Sequence, residues 1–201
     1  MSGRPPLIGV TGAIGAGKSA VLAAFARRGC AVLSADSVVH RLYEQPAVRD
    51  QVVARLGPEV LTTDRSVDRR AVATRVFADP DSLTWLEQLL HPLAEDELAQ
   101  WADALRAKAA GFPLLVYESP LLFESGRADR FDRVLVVTAD PATRAARVVA
   151  RGGLAELESR SARLWPDERR CAAADDVVRN DGSTEELQQQ IDDYIARYAE
   201  R

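Results

Sequence analysis

Five short apolar runs punctuate the chain, and stretches of helical period separate them. The runs are Leu7–Val10, Ala31–Ser34, Leu114–Tyr117, Arg133–Thr138 and Asp176–Arg179. Each has the length and apolar content of a buried strand. The fourth, Arg-Val-Leu-Val-Val-Thr, is the clearest, and the fifth is the weakest. Apolar positions three and four apart predict helices over about Ser19–Arg28, Ser37–Glu44, Ala47–Leu56, Arg69–Phe77, Ser82–Leu90, Pro92–Ala110, Ala142–Ala150 and Glu185–Ala199. Asp140 before Pro141 reads as a helix cap, and Ser183 or Thr184 caps the last helix. Strands alternating with helices imply an α/β fold, with a parallel five-stranded sheet and helices on both faces. The helical stretch between the second and third strands is too long for a simple crossover. It predicts a helical subdomain over residues 37–111, beside a core of residues 1–36, 112–150 and 166–201. Gly152-Gly153 marks a hinge, and residues 151–165 are expected to form a helical lid on this single unit.

The junction of the first strand and first helix carries the strongest chemical signal. Gly12-Ala13-Ile14-Gly15-Ala16-Gly17-Lys18-Ser19 fits G-x-x-x-x-G-K-[ST], the phosphate-binding loop of P-loop nucleotide-binding proteins. The fold class is therefore expected to be of the P-loop NTPase type. Glycines let backbone N–H groups approach phosphate oxygens, and the helix start adds its positive dipole end. Lys18 supplies a mobile charge for the β and γ phosphates. The Ser19 hydroxyl is a ligand for Mg²⁺. Composition sharpens the point. Of 26 basic residues only Lys18 and Lys108 are lysines, so arginine stands almost everywhere except where a compact ammonium is wanted.

The 201 residues, 47% hydrophobic, suffice for one sizeable core. A net charge of −4 and a pI near 5.3 argue against an extended nucleic-acid surface. No apolar stretch approaches a membrane span, and no signal peptide precedes the first strand. Cys30 and Cys171 have no metal-ligand spacing and read as small buried or partly buried thiols. A cytoplasmic protein, with a monomer favoured, is the expectation.

In a parallel sheet of this type ligands bind beyond the C-terminal strand ends. The second strand delivers Asp36 there, as a general base or as a helix cap. The third delivers Glu118, which either holds a magnesium-bound water or caps the following turn. Arg144, Arg147 and Arg151 share one helix face, which reads either as a solvated basic face or as part of a lid carrying charge to the transferring phosphate. Arg160 and Arg163 are candidates for the same lid. His91, at a helix junction before Pro92, reads as structural or as a ligand contact, and His40 as a surface residue.

Longer motifs then carry a family resemblance. Gly9-Val10-Thr11-Gly12 runs into the P-loop, followed by Ala35-Asp36 and by Val67-Asp68-Arg69-Arg70 with Val76-Phe77. Leu86-Glu87-Gln88-Leu89-Leu90-His91-Pro92 comes next, then Pro120-Leu121-Leu122-Phe123-Glu124, Ala174-Asp175 and Asn180-Asp181-Gly182-Ser183. Over nearly its full length the chain resembles the dephospho-CoA kinases. The resemblance implies transfer of the ATP γ-phosphate to the ribose 3′-hydroxyl of dephospho-CoA, the last step of coenzyme A synthesis. It implies Asp36 as base, assisted by Lys18, Arg147 and Arg151. It implies ATP on residues 12–19 with adenine near Asn180, and Mg²⁺ on Ser19 with Asp36 or Glu118 through water. Acceptor contacts are implied at Asp36, His91, Pro120, Leu121 and Glu124.

Two departures stand out. Leu164 replaces the glutamine usual after the lid arginine, and the segment between Arg151 and Arg160 is short. Two other readings stay open: another small-molecule kinase on the same core, such as a nucleoside or nucleoside-monophosphate kinase, and a non-catalytic nucleotide switch. The paired His91-Pro92 and Pro120–Glu124 motifs favour the first reading over the second. Asp36 with the arginines speaks against the third.

Overall fold

The computed structural model describes residues 4–108, 111–150 and 164–199. Arg151, Arg160 and Arg163, with most of the expected lid, lie outside the described residues. The elements in order are β1 (Leu7–Gly12), α1 (Lys18–Arg27), β2 (Ala31–Ser34), α2 (Ala35–Glu44), α3 (Pro46–Leu56), α4 (Arg69–Ala78), α5 (Pro80–Ala107), β3 (Leu115–Glu118), β4 (Arg133–Thr138), α6 (Pro141–Ala150), α7 (Asp167–Ala173), β5 (Asp176–Arg179) and α8 (Thr184–Tyr198). They fall into two compact units, Met1–Ser34 with Leu105–Arg201, and Ala35–Ala104.

The first unit is built on a five-stranded sheet of order β2-β3-β1-β4-β5, all of whose pairings are parallel. Side chains alternate along each strand, so the two faces have separate cores. Ile8, Val10, Leu114, Val116, Leu135 and Val137 pack on one face against Val21 and Phe25 of α1 and Leu187, Ile191 and Tyr194 of α8. Val134 and Val136 face the other way, onto Leu122, Phe123, Phe131 and Trp165. Fully buried side chains such as Phe25 and Ile191 are each worth about 1.5–3 kcal/mol by transfer from water. Phe25 meets Tyr194 edge-on, with ring centroids 5.8 Å apart. Cys30 lies in this core, where burial pushes its thiol up to about 11, as expected of an inert packing thiol. At the β5 edge the Gln190 side chain donates to the Arg179 carbonyl at 2.9 Å and accepts from its N–H at 3.2 Å. One amide thus covers a stretch of backbone that would otherwise invite another strand.

The second unit is helical. Asp68 caps α4 by accepting from the N–H groups of Arg70 and Ala71 at 2.8 and 3.2 Å. Arg75 of α4 donates to the Leu56 carbonyl at 2.6 Å, placing a cation at the C-terminal end of α3.

Several sequence expectations change, and the third strand runs Leu115–Glu118 rather than Leu114–Tyr117. β1 extends two residues further, to Gly12. α2 begins at Ala35 rather than Ser37, so Asp36 lies in its first turn and is not an N-cap. α7, not predicted, follows Pro166. His91-Pro92 does not divide two helices, because α5 runs 28 residues straight through it. A proline inside a helix costs about 3 kcal/mol. Here Leu86 and Leu90 before it, and Leu98 and Ala102 after it, are buried pairs, each four residues apart. This row, partly buried at Ala94 between its two halves, outweighs the missing hydrogen bond.

Candidate active site

β1 occupies the middle of the sheet and delivers the loop Gly12–Gly17 at its C-terminal end. The loop is left-handed at Gly17, with φ 92°, and a Cβ there would collide with the Asn180 amide. At Gly12, with φ 152°, a Cβ would strike the Val137 carbonyl. Side chains are therefore excluded at both positions by backbone geometry and by neighbours. α1 starts at Lys18 with no side-chain cap and no acidic residue in its first turn. Its dipole end is thus aimed at the loop without any anion of its own. Lys18 Nζ donates to the carbonyls of Gly12 at 2.9 Å and Ala13 at 3.3 Å, which holds the ammonium over the loop. Ser19 follows in the first turn, exposed.

The neighbouring strands bring the remaining groups of this unit. Glu118 ends β3 in register with Val10 and is buried. The next N–H, Ser119, donates to the Val10 carbonyl at 3.0 Å. Thr11, fully buried, donates its hydroxyl to the Pro120 carbonyl at 3.2 Å. The Pro120–Glu124 segment is thereby tied to the strand that carries the loop. Glu124 does not extend freely from it. Its Oε1 accepts from the Trp165 N–H at 2.6 Å, and its Oε2 is buried with no hydrogen-bond partner among the described residues. The Trp165 ring stacks on Phe123 at 5.6 Å, and the Arg169 guanidinium lies over it.

The arginines that share a face of α6 have different partners. Arg144 donates to the Ala139 carbonyl at 3.1 Å and pairs with Asp167 at 2.9 Å, so it braces α6 against α7. Arg147 reaches the loop, donating to the Gly15 carbonyl at 3.5 Å and the Asn180 carbonyl at 2.9 Å. Asn180 lies just beyond β5, and its amide donates to the Ala16 carbonyl at 2.8 Å. Sequence reading missed Asp167 and the loop-facing role of the Asn180 amide. The only signal for Asp167 was its place beside Pro166, where a helix start is favoured.

Within the second unit, Asp36 is exposed in the first turn of α2, which follows β2 without a linker. His91 is partly buried in the middle of α5, whose long axis carries Glu87 and Glu95 one turn to either side.

Comparisons with known proteins agree with this architecture. The family profile described as dephospho-CoA kinase matches residues 6–186. The dephospho-CoA kinase of Methylococcus capsulatus is 42% identical over 197 residues, covering 96% of each chain. That of Chlorobaculum tepidum is 37% identical over 194 residues, covering 94% of this chain and 92% of its own. A crystal structure from Thermus thermophilus superposes with a TM-score of 0.81 at 36% identity, covering 97% of this chain and 98% of that one. A dephospho-CoA kinase from Campylobacter jejuni shares the fold, with a TM-score of 0.70 at 22% identity over 96% of each chain.

Proposed function

The chain belongs to the dephospho-CoA kinase family, and from that premise we propose how its own residues carry the ATP-dependent phosphorylation of dephospho-CoA to coenzyme A. The reaction moves the γ-phosphoryl group from its bridging oxygen to an acceptor hydroxyl, and the hydroxyl proton must leave. The loop Gly12–Ser19 is supported as the phosphate cradle by its left-handed glycine, its uncapped helix start and the position of Lys18 over it. Lys18 offsets charge on the β and γ phosphates. Arg147, one side chain away at the Gly15 carbonyl, is the arginine on hand to neutralise charge as the phosphoryl group transfers. Arg151 is assigned the same task on sequence grounds.

Asp36 takes the acceptor proton or orients the hydroxyl. Its place in the first turn of α2, rather than at the N-cap, supports this reading. Acceptor contacts are assigned to Asp36, His91, Pro120, Leu121 and Glu124. Glu124 acts there through the Pro120–Glu124 turn, since one of its oxygens is engaged by Trp165. The hydroxyl of Ser19 and the carboxylate of Glu118 are hard oxygen donors that suit Mg²⁺. Such an ion, when bound, would offset phosphate charge.

The observation that carries this reading is the loop itself, within a family match spanning residues 6–186. The test is ADP formation from ATP with and without dephospho-CoA. ADP is expected only with that acceptor. Equal turnover without it, or with nucleoside monophosphates in its place, would overturn the assignment. Asp36→Asn should then lower kcat by roughly 10²–10⁴ with ATP binding retained, since that is the usual worth of a positioned base. A kcat within about threefold of wild type would remove Asp36 from the chemistry.

A further inference from the structure

We propose that Asn180 is a positioning residue for the phosphate loop, acting through the Ala16–Gly17 peptide rather than by contact with the nucleotide base. This rests on the reading of Gly12–Ser19 as the phosphate cradle. A trans peptide points its carbonyl and the following N–H in opposite directions. Whatever fixes the Ala16 carbonyl therefore aims the Gly17 N–H the other way. The Asn180 amide does so, donating to that carbonyl at 2.8 Å in a buried setting.

Asn180 is itself held from three sides. Its own N–H donates to the Thr138 carbonyl at 2.8 Å, continuing the β4–β5 ladder. Its carbonyl accepts from Arg147 at 2.9 Å. Its side chain is packed so closely that a Cβ on Gly17 would occupy the place of the amide nitrogen. A residue 7% exposed, fixed at both backbone groups, delivers one donor to one loop carbonyl. The residue type follows. Aspartate has the same shape but sets an acceptor against an acceptor. Serine is too short, and glutamine is too long for the space. Gly17 and Asn180 form one device, a left-handed glycine and the amide that needs its missing side chain.

The two roles for Asn180 separate on a ligand that has phosphates and no base. Binding of inorganic tripolyphosphate and of ATP would be measured by calorimetry for wild type, Asn180→Ala and Asn180→Asp, well below each melting temperature. The expected result is a loss of about tenfold for both ligands alike, the worth of one buried hydrogen bond left unmade. A loss for ATP with tripolyphosphate unchanged would overturn the proposal in favour of base contact. No loss for either would overturn it outright. A wild-type protein that binds neither ligand would instead break the cradle reading on which the proposal rests. Should Asn180→Ala be too unstable to assay, the isosteric Asn180→Asp carries the comparison. The wild-type protein gives an independent readout, because the Asn180 side-chain amide protons should exchange slowly with and without tripolyphosphate. Fast exchange without ligand would show that the bond to Ala16 is not held.

Discussion

Two helices back the same face of the sheet, α1 and α8, and they begin in opposite ways. α8 closes its own N-terminus. Ser183 accepts from the Glu186 N–H at 3.1 Å, and the Glu186 carboxylate accepts from the Ser183 N–H at 2.8 Å. Glu185 and Glu186 add negative charge to the first turn. α1 has Gly17 in place of a capping side chain, no acid in its first turn, and Lys18 beside it. Both carry the same dipole and the same orphan N–H groups. α8 is finished for stability by its own residues, whereas α1 leaves its first N–H groups open to an anion from outside. A helix start with nothing of its own to satisfy it marks function when the loop before it is also shaped for a phosphate.

The contrast breaks most severely at Lys18. Lys18→Ala removes the cation but no buried contact of the core, so folding should persist while phosphoryl transfer falls by roughly 10²–10³ or more. Activity near wild type in a steady-state assay would end the assignment of the loop.

A milder change makes α1 resemble α8. Ala20 is exposed in the first turn of α1. Ala20→Glu gives the dipole an internal anion and should stabilise the helix by about 0.3–1 kcal/mol. The same charge repels phosphate, so the Kd for ATP should rise roughly threefold to tenfold at low salt and recover as salt is added. Melting and titration on the one variant should move in opposite senses. If ATP binds as tightly as before at low salt, the helix start does not face the phosphates.

The smallest effect is expected at α8. Ser183→Ala should cost about 1 kcal/mol, a fall in Tm of roughly 2–4 °C for a chain of this size, with kcat unchanged. A larger effect on kcat than on Tm would mean that the two helix starts are not divided between function and stability.

The same contrast explains what was legible in the sequence. The strands and the loop announce themselves through local signals: short apolar runs, and a fixed spacing of Gly12, Gly17, Lys18 and Ser19. The cap at Ser183 is equally local. What failed depended on partners distant in the chain. Pro92 reads as a break because the cost of proline is local, while the burial of Leu86, Leu90, Leu98 and Ala102 that carries α5 through it is tertiary. The cap alternative for Asp36 arises because aspartate favours that position, yet the chain enters α2 directly from β2 and Asp36 lies inside its first turn. Arg144 and Arg147 look alike on their shared helix face. Asp167 on one side and the carbonyls of Gly15 and Asn180 on the other distinguish the brace from the arginine that reaches the loop.

The register of β1 has a consequence for how the chain is made. Its partners in the ladder are Leu115 to Glu118 on one side and Arg133 to Val137 on the other. The strand that leaves the ribosome first is therefore the one that must wait longest for neighbours. At about 5–20 residues per second, it stays unpaired for several seconds or more while the whole of Ala35–Ala104 is synthesised. During that interval Leu7, Ile8 and Val10 are an apolar segment without a sheet. Slow translation before residue 118, or shortage of a chaperone able to shield such a segment, should lower the yield of soluble protein before it alters any property of the finished molecule.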